Sequence, residues 1–269
     1  MGIATARKKQ KVIAIFIAYN ASKTLREFYR DFPKHLVDDI ILVDDCSKDN
    51  TYELAKQLGI TSYLNPVNLG YGGNLKRAIA LALERGADII IDIHPDGEYK
   101  PSAILPAVAK VRQGAAMVLG RRFTHISDLT KHGMRAWKVP PLVLMSAIHQ
   151  LVLGTRIKDL HQGFRVYTRK LLERVPFENG SDNYLFSFEL ITQALFRKLP
   201  IAEVPVETSY TGEKRGASLK SSIKYSLGTF KVLFLFLLAK LGLPVTLFQR
   251  THASLAQRIQ PLAHPEQKA

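Results

Sequence analysis

Short, unbroken runs of Ile and Val, each closing in a polar turn, mark the first half of the chain: KVIAIFIAYN from Lys11, DDIILVDDCS from Asp38 and ADIIIDIHPD from Ala87. Continuous rather than alternating apolar character is the pattern of strands covered on both faces, as in a parallel sheet. Between them, SKTLREFYRDFP, NTYELAKQLG and GNLKRAIALALERG carry apolar residues at helical spacing. The predicted order is β-α-β-α-β. Asn50 with Glu53 three residues on reads as a capping box, and Gly59 and Gly86 stand where helices should stop. A short strand, TSYLNP, precedes the Gly-rich NLGYGGN, and a helix over SAILPAVAKVRQG leads into a further strand, AAMVLGRRF. Such alternation predicts an α/β fold with an open sheet and ligands at the carboxyl ends of its strands.

After about residue 128 the pattern changes. VPPLVLMSAIHQLVLG and SLGTFKVLFLFLLAKLGLPVTLF are the most apolar stretches, yet Lys231 and Lys240 bracket an eight-residue core, VLFLFLLA. That core is shorter than the roughly 20 residues of a spanning helix, so a membrane-surface helix is expected, with a buried core helix and a tilted span as alternatives. The expected organisation is a basic extension over residues 1–10, a catalytic domain over 11–228, an apolar membrane-associating region over 229–250 and a poorly ordered polar tail over 251–269.

Charge narrows the partners. A formal net charge of +15 suits nucleic acid, an anionic membrane surface or a phosphorylated small substrate. One cysteine, Cys46, leaves no internal disulfide framework and no metal-knuckle spacing, so a reducing compartment, the cytoplasm, is expected. The basic opening MGIATARKKQK runs into VIAIFIA without a small-residue cleavage site, which argues against a signal peptide.

Parallel topology gathers three strand-end motifs at one crevice: AYN at residues 18–20, VDDCSKDNT at 43–51 and HPDGEY at 94–99. They bring Asp44, Asp45, Asp92, Asp96 and Glu98 to an acidic edge within a basic protein. Carboxylates there would repel bare phosphate, but Mg2+ or Mn2+ held by one or two of them and otherwise by substrate phosphates reconciles the edge with a phosphorylated ligand. Asp96 is the candidate metal ligand. His94 is a second, its imidazole favouring Mn2+ over Mg2+. Asp92 lies two positions earlier on the strand, on the same face, where it can orient the His94 ring. Glu189 sits in a helical apolar pattern and needs a partner, for which a nearby arginine is expected.

Taken in order, FIAYNASKTL, IILVDDCSKDNT, NLGYGGNLKRAI, HPDGEY, GRRF and DLHQGFRVY resemble a family 2 glycosyltransferase, close to the dolichol- or polyprenyl-phosphate sugar synthases, over residues 11 to about 228. The resemblance implies the nucleotide-sugar-binding glycosyltransferase A-type fold, a mostly parallel sheet flanked by helices. It implies an inverting hexosyltransferase that takes a sugar from a UDP- or GDP-linked donor to a polyprenyl phosphate, on the cytoplasmic face of the membrane in cell-envelope glycan synthesis. Ala18, Tyr19 and Asn20 would border the nucleotide, Asp44 would contact base or ribose with Asp45 beside it, and the glycines of NLGYGG would form a helix-opening turn rather than a phosphate cradle. Asp49 and Asn50 remain turn and cap residues.

The chain departs from the family in places. His94-Pro95-Asp96 occupies the position of an Asp-x-Asp metal motif, so the first carboxylate is missing. In DLHQGFR, Asp159, Gly163, Phe164 and Arg165 match Asp-x-x-Ser-Gly-Phe-Arg, while Gln162 replaces the serine. Asp159 would lie near the acceptor. A hydroxyl acceptor would need it as general base, a phosphate acceptor would not, and pairing with Arg165 or capping a turn is its structural alternative. GEKRGASLKSSIKYS places Arg215, Lys220 and Lys224 as a basic loop over a diphosphate, or as a solvated surface beside a membrane; Arg122 is the matching arginine of GRRF, next to Arg121. Transfer to a saccharide or lipid hydroxyl is the second reading. Scattered basic residues and the acidic edge disfavour nucleic acid, and no Gly-x-Gly-x-x-Gly follows the first strand to suggest a dinucleotide enzyme.

Overall fold

The computed structural model describes residues 9–122, 139–208, 219–250 and 252–265. Its first half alternates β1 (Val12–Ala18), α1 (Ser22–Asp31), β2 (Asp39–Asp44), α2 (Thr51–Gln57), β3 (Thr61–Leu64), α3 (Gly70–Glu84), β4 (Ile89–Asp92), α4 (Ile104–Arg112) and β5 (Met117–Arg121). Helix α5 (Val139–Leu153), β6 (Arg165–Thr168), α6 (Arg169–Arg174), α7 (Phe186–Phe196), β7 (Ile201–Pro205), α8 (Leu219–Lys240) and α9 (Leu255–Ala263) follow. The sheet has seven strands in the order β3-β2-β1-β4-β6-β5-β7. Strand β6 runs antiparallel to both neighbours, and the other pairings are parallel. Every residue of β1 is buried, which explains its unbroken apolar run. Gly59 and Gly86 take φ of +73° and +84°, the left-handed conformation that ends α2 and α3.

The expected capping box on α2 does not form. Asn50 makes no side-chain cap, and Asp49 Oδ1 instead accepts from the Thr51 backbone N at 3.1 Å. Its other oxygen accepts from Ser22 N and Oγ, tying the loop after β2 to the start of α1. Held from both sides by these bonds, Asp49 takes the role.

Helix α3 is buried nearly all round, its charges included. Lys76 Nζ donates to Gly180 O at 2.8 Å and pairs with Asp182, while Arg77 reaches Asn65 Oδ1 and the Ala263 carbonyl. Arg77 thereby holds α9, in the segment expected to be a poorly ordered tail. Its described part, residues 252–265, is ordered because Ile259 and Ala263 are buried, Ser254 and Gln257 form a capping box, and Arg258 pairs with Glu178 at 2.6 Å.

Helix α8 is longer than its apolar core. Its 22 residues begin at Leu219, and Ser221–Lys240 is long and apolar enough, by length and composition, to cross a membrane. Lys231 interrupts the apolar run without ending the helix. One face packs on the domain through Thr229, Val232, Leu233 and Phe236, and Gly228 lies flush against Leu185. The opposite face leaves Leu227 and Phe234 66% and 60% exposed.

Candidate active site

The nucleotide end is built from the carboxyl termini of β1 and β2, where Ala18 pairs with Asp44 across the sheet. Asn20 takes φ of +53°, placing its amide to accept from Lys48 N while its own N–H donates to Ser47 Oγ. The two loops are thus fastened together, with Tyr19 half-exposed beside them. Asp44 is fully buried; Oδ1 accepts from Ser47 N at 2.7 Å and Oδ2 has no partner among the described residues. Burial pushes its carboxyl above the usual range, against the pull of the Ser47 contacts. An orphaned acceptor at a strand end suits a nucleobase N–H or a ribose hydroxyl.

Asp45 turns inward instead. Its Oδ1 accepts from Asn65 Nδ2 and Leu69 N, both at 2.7 Å, and so fixes the turn into α3. The NLGYGG glycines open that helix. Gly72 N donates to Asp182 O, and a Cβ on Gly72 would lie 2.3 Å from Ser181 O. Close backbone approach accounts for this glycine.

At the end of β4, buried Asp92 accepts from Tyr167 Oη at 2.9 Å, with Arg165 Nη1 3.8 Å away. Asp92 Oδ1 faces His94 Nε2 at 3.4 Å, and Tyr71 Oη lies 3.5 Å from the same nitrogen. Burial pulls the His94 imidazole down, but Asp92 and Asp96 outweigh it and hold the group above its ordinary value. With Nε2 turned to Asp92, Nδ1 is the atom left for a metal. Asp96 is exposed, its Oδ1 accepting from Glu98 N in a turn of its own. Burial, then Asp96, raise the Glu98 carboxyl, and the Arg122 charge opposes them. Among the described residues no three His, Cys, Asp or Glu side chains group as a metal cage. One exposed carboxylate and an imidazole fit a hard divalent ion that takes most of its oxygens from a diphosphate.

Arg122 leads to Asp159. Its Nε donates to Oδ2 at 2.8 Å and its Nη2 to Oδ1 at 2.9 Å, a two-pronged pair, and the Arg122 backbone N also donates to Oδ2. Burial alone would raise the Asp159 carboxyl; the Arg122 guanidinium holds it below the usual range. Asp159 therefore pairs with Arg122 rather than with Arg165, whose Nη2 donates to Gln162 O. Gly163 N donates to Tyr99 Oη, and a Cβ at Gly163 would strike that ring. Among the described residues Glu189 accepts from Ser181 N and Oγ, in the turn before α7, rather than from an arginine.

Arg215 lies outside the described residues, and Lys220 is described only as backbone of α8. The structure brings Asp92, His94, Asp96 and Glu98 next to Arg122 and Asp159, and puts Ala18, Tyr19, Asn20 and Asp44 at the neighbouring strand ends. Sequence reading missed Tyr71, Tyr167 and Ser187. Tyr71 Oη contacts Ser187 Oγ and Arg165 as well as His94. A tyrosine among glycines at a helix start was the available signal.

The family description "Glycosyl transferase family 2" matches residues 13–175. The UDP-N-acetylglucosamine–dolichyl-phosphate N-acetylglucosaminyltransferase of Methanococcus voltae is 29% identical, over 86% of this chain and 97% of the relative. The polyprenol monophosphomannose synthase of Mycolicibacterium smegmatis is 26% identical, over 85% of this chain and 88% of the relative. Among solved structures, glucosyl-3-phosphoglycerate synthase from Mycobacterium tuberculosis in complex with Mn2+, UDP-glucose and phosphoglyceric acid superposes with a TM-score of 0.64 at 20% identity, covering 88% of this chain and 81% of that one. That likeness shows the glycosyltransferase A-type fold. The family match spans more than half of the chain and the sheet has the matching architecture, so this protein belongs to glycosyl transferase family 2 and is a glycosyltransferase.

Proposed function

We propose that this glycosyltransferase moves a sugar, with inversion, from a UDP- or GDP-linked donor to a polyprenyl phosphate at the cytoplasmic face of a membrane, in cell-envelope glycan synthesis. The observation that carries the choice of acceptor is the Asp159 carboxylate. Both of its oxygens are engaged by Arg122, and its proton affinity is depressed. A carboxylate in that state is a poor base, which a hydroxyl acceptor would need and an already anionic phosphate does not. The names of the Methanococcus voltae and Mycolicibacterium smegmatis relatives agree with a lipid-phosphate acceptor.

In this reading Asp44 receives the base or ribose, with Ala18, Tyr19, Asn20 and Asp45 shaping the pocket around it. Asp96, with His94 beside it, holds Mn2+ or Mg2+, which when bound neutralises the departing diphosphate. Arg215 and Lys220 close on the same diphosphate as charge develops there, and Arg122, fixed by Asp159, directs its guanidinium at the reacting centre. Helix α8 lies on the domain by its buried face, and Leu227 and Phe234 on its exposed face, with Leu241 just past its end, rest in the lipid, with Lys231 and Lys240 available to anionic headgroups.

The test is transfer of labelled sugar from UDP- and GDP-linked donors to polyprenyl phosphate in vesicles with Mn2+ or Mg2+. An organic-extractable, metal-dependent product is expected. Release of nucleotide with a labelled soluble glycan and no lipid product would sink the lipid-phosphate acceptor.

A further inference from the structure

A buried polar chain, unused by the transfer chemistry above, joins the apolar helix to the loop that carries Asp159. Tyr225 Oη of α8 stands 3.0 Å from His161 Nδ1, and His161 Nε2 stands 2.9 Å from His149 Nδ1 of α5. Helix α8 thus meets α5 and the loop after it through three side chains, Tyr225 lying 64 residues from His161. Phe188 stacks on the His161 ring, and Phe230 of α8 closes edge-on over His149. Burial holds both imidazoles neutral, His149 down to about 4 and His161 down to about 3, the latter pushed further by His149.

Two neutral imidazoles and a hydroxyl admit two proton arrangements. In one, Tyr225 donates to His161 and His161 donates to His149; in the other, both donations reverse. Either way the chain ends at His149 Nε2, which has no partner among the described residues. Each link therefore fixes the tautomer of the next, and breaking one unsettles the His161 ring. From His161 the path continues through its own carbonyl, which accepts from Arg122 Nη2 at 3.3 Å, the nitrogen that also holds Asp159 Oδ1.

We propose that His161 is a positioning residue that fastens the seat of helix α8, through Tyr225, to the Arg122–Asp159 pair, so that the helix's place on the domain sets the alignment of that guanidinium. The proposal rests on the glycosyl-transfer reading only for its catalytic consequence. Tyr225→Phe removes one oxygen and leaves the apolar face of α8 unchanged. His161→Asn keeps a polar atom near the place of Nδ1, facing Tyr225, whereas His161→Gln keeps one near the place of Nε2, facing His149.

The experiment uses the full chain on phospholipid vesicles, with two readouts: backbone hydrogen exchange over residues 159–165, and kinetics of sugar transfer to polyprenyl phosphate. Tyr225→Phe should speed exchange in that loop about tenfold while β1 and β4 stay protected, the effect of one lost buried hydrogen bond. It should lower kcat about tenfold with the KM for nucleotide sugar changed less than twofold. His161→Gln should match it, and His161→Asn should recover most of the loss. Loop exchange at the wild-type rate in Tyr225→Phe overturns the proposal, and so does an increase spread evenly over the sheet, which would mark a general structural role. Should the wild type transfer no sugar while Tyr225→Phe still loosens the loop, the transfer reading falls and the coupling stands.

Discussion

Protonating the buried His149–His161 pair should destabilise the fold in a window that the geometry defines. Both imidazoles have an ordinary value of 6.5 and are lowered in the folded chain, to about 4 and about 3. Between 6.5 and those values the unfolded chain binds more protons than the folded one, so stability falls as pH falls. Each proton excluded costs about 1.4 kcal/mol per pH unit, so going from pH 8 to pH 5 withdraws about 2 kcal/mol for each imidazole and about 4 kcal/mol for the pair. That is a large part of a total stability of about 5–15 kcal/mol. Other groups titrate with the opposite sign. Asp44 and Glu98 are raised, so acid favours their folded form, and the raised His94 contributes stability below 6.5 that is lost as pH climbs through its folded value. A comparison with His149→Phe/His161→Phe cancels those contributions. The assay is urea unfolding followed by circular dichroism at pH 8, 7, 6 and 5 for both proteins. The wild type should lose about 4 kcal/mol more than the double variant across that range. Equal losses would refute the claim that this pair is neutral in the folded chain.

Asp96→Ala should lower sugar transfer by at least about a hundredfold while leaving the thermal midpoint within about 2 °C, read by parallel activity and melting assays. Asp159→Asn should lower kcat by at least about tenfold by loosening Arg122, yet leave the shape of the pH–rate profile unchanged; loss of the profile's ascending limb would instead mark Asp159 as a base. Gly72→Ala puts a Cβ 2.3 Å from Ser181 O and should destabilise the fold by about 1–3 kcal/mol in urea titrations. Leu227→Glu/Phe234→Glu, on the exposed face of α8, should weaken vesicle co-sedimentation about tenfold or more, with transfer to a short-chain, water-soluble polyprenyl phosphate less affected.

What the sequence made legible was the part set by local periodicity and by chemistry at strand ends. The continuous Ile/Val runs announced β1, β2 and β4 because a strand covered on both faces has no polar side to interrupt it. The motifs after those strands fell at one edge because parallel strands leave their carboxyl ends together. What escaped depended on long-range partners. Arg122 and Asp159 are 37 residues apart, and nothing at either position announced the other over Arg165. Helix α9 is held by Arg77, which is 186 residues from the Ala263 carbonyl it bonds. Asp49 displaced Asn50 as the residue bonding the first turn of α2, because Asp49 also had Ser22 to hold. Helix α8 was underestimated because two lysines were read as boundaries, although a long side chain can lie along an apolar helix and carry its charge to the surface.

The acidic edge and the overall positive charge serve different partners. Asp92 is buried against Tyr167 and Arg165 and faces the site through His94, so its carboxylate adds orientation rather than repulsion toward a diphosphate. Asp45 is engaged by Asn65 and Leu69, and Asp159 by Arg122. Burial raises the carboxyls of Asp44 and Glu98, and Asp44 sits inside the strand end rather than on the open edge. Asp96 remains as the exposed carboxylate that a cation could reach while the donor phosphates complete its shell. In the proposed function, one aspartate in place of two would bind the metal through the donor rather than ahead of it. Metal affinity should accordingly rise sharply when nucleotide diphosphate is present, a dependence that calorimetric titration of Mn2+ with and without UDP or GDP reads directly, and equal affinity in both titrations would contradict it.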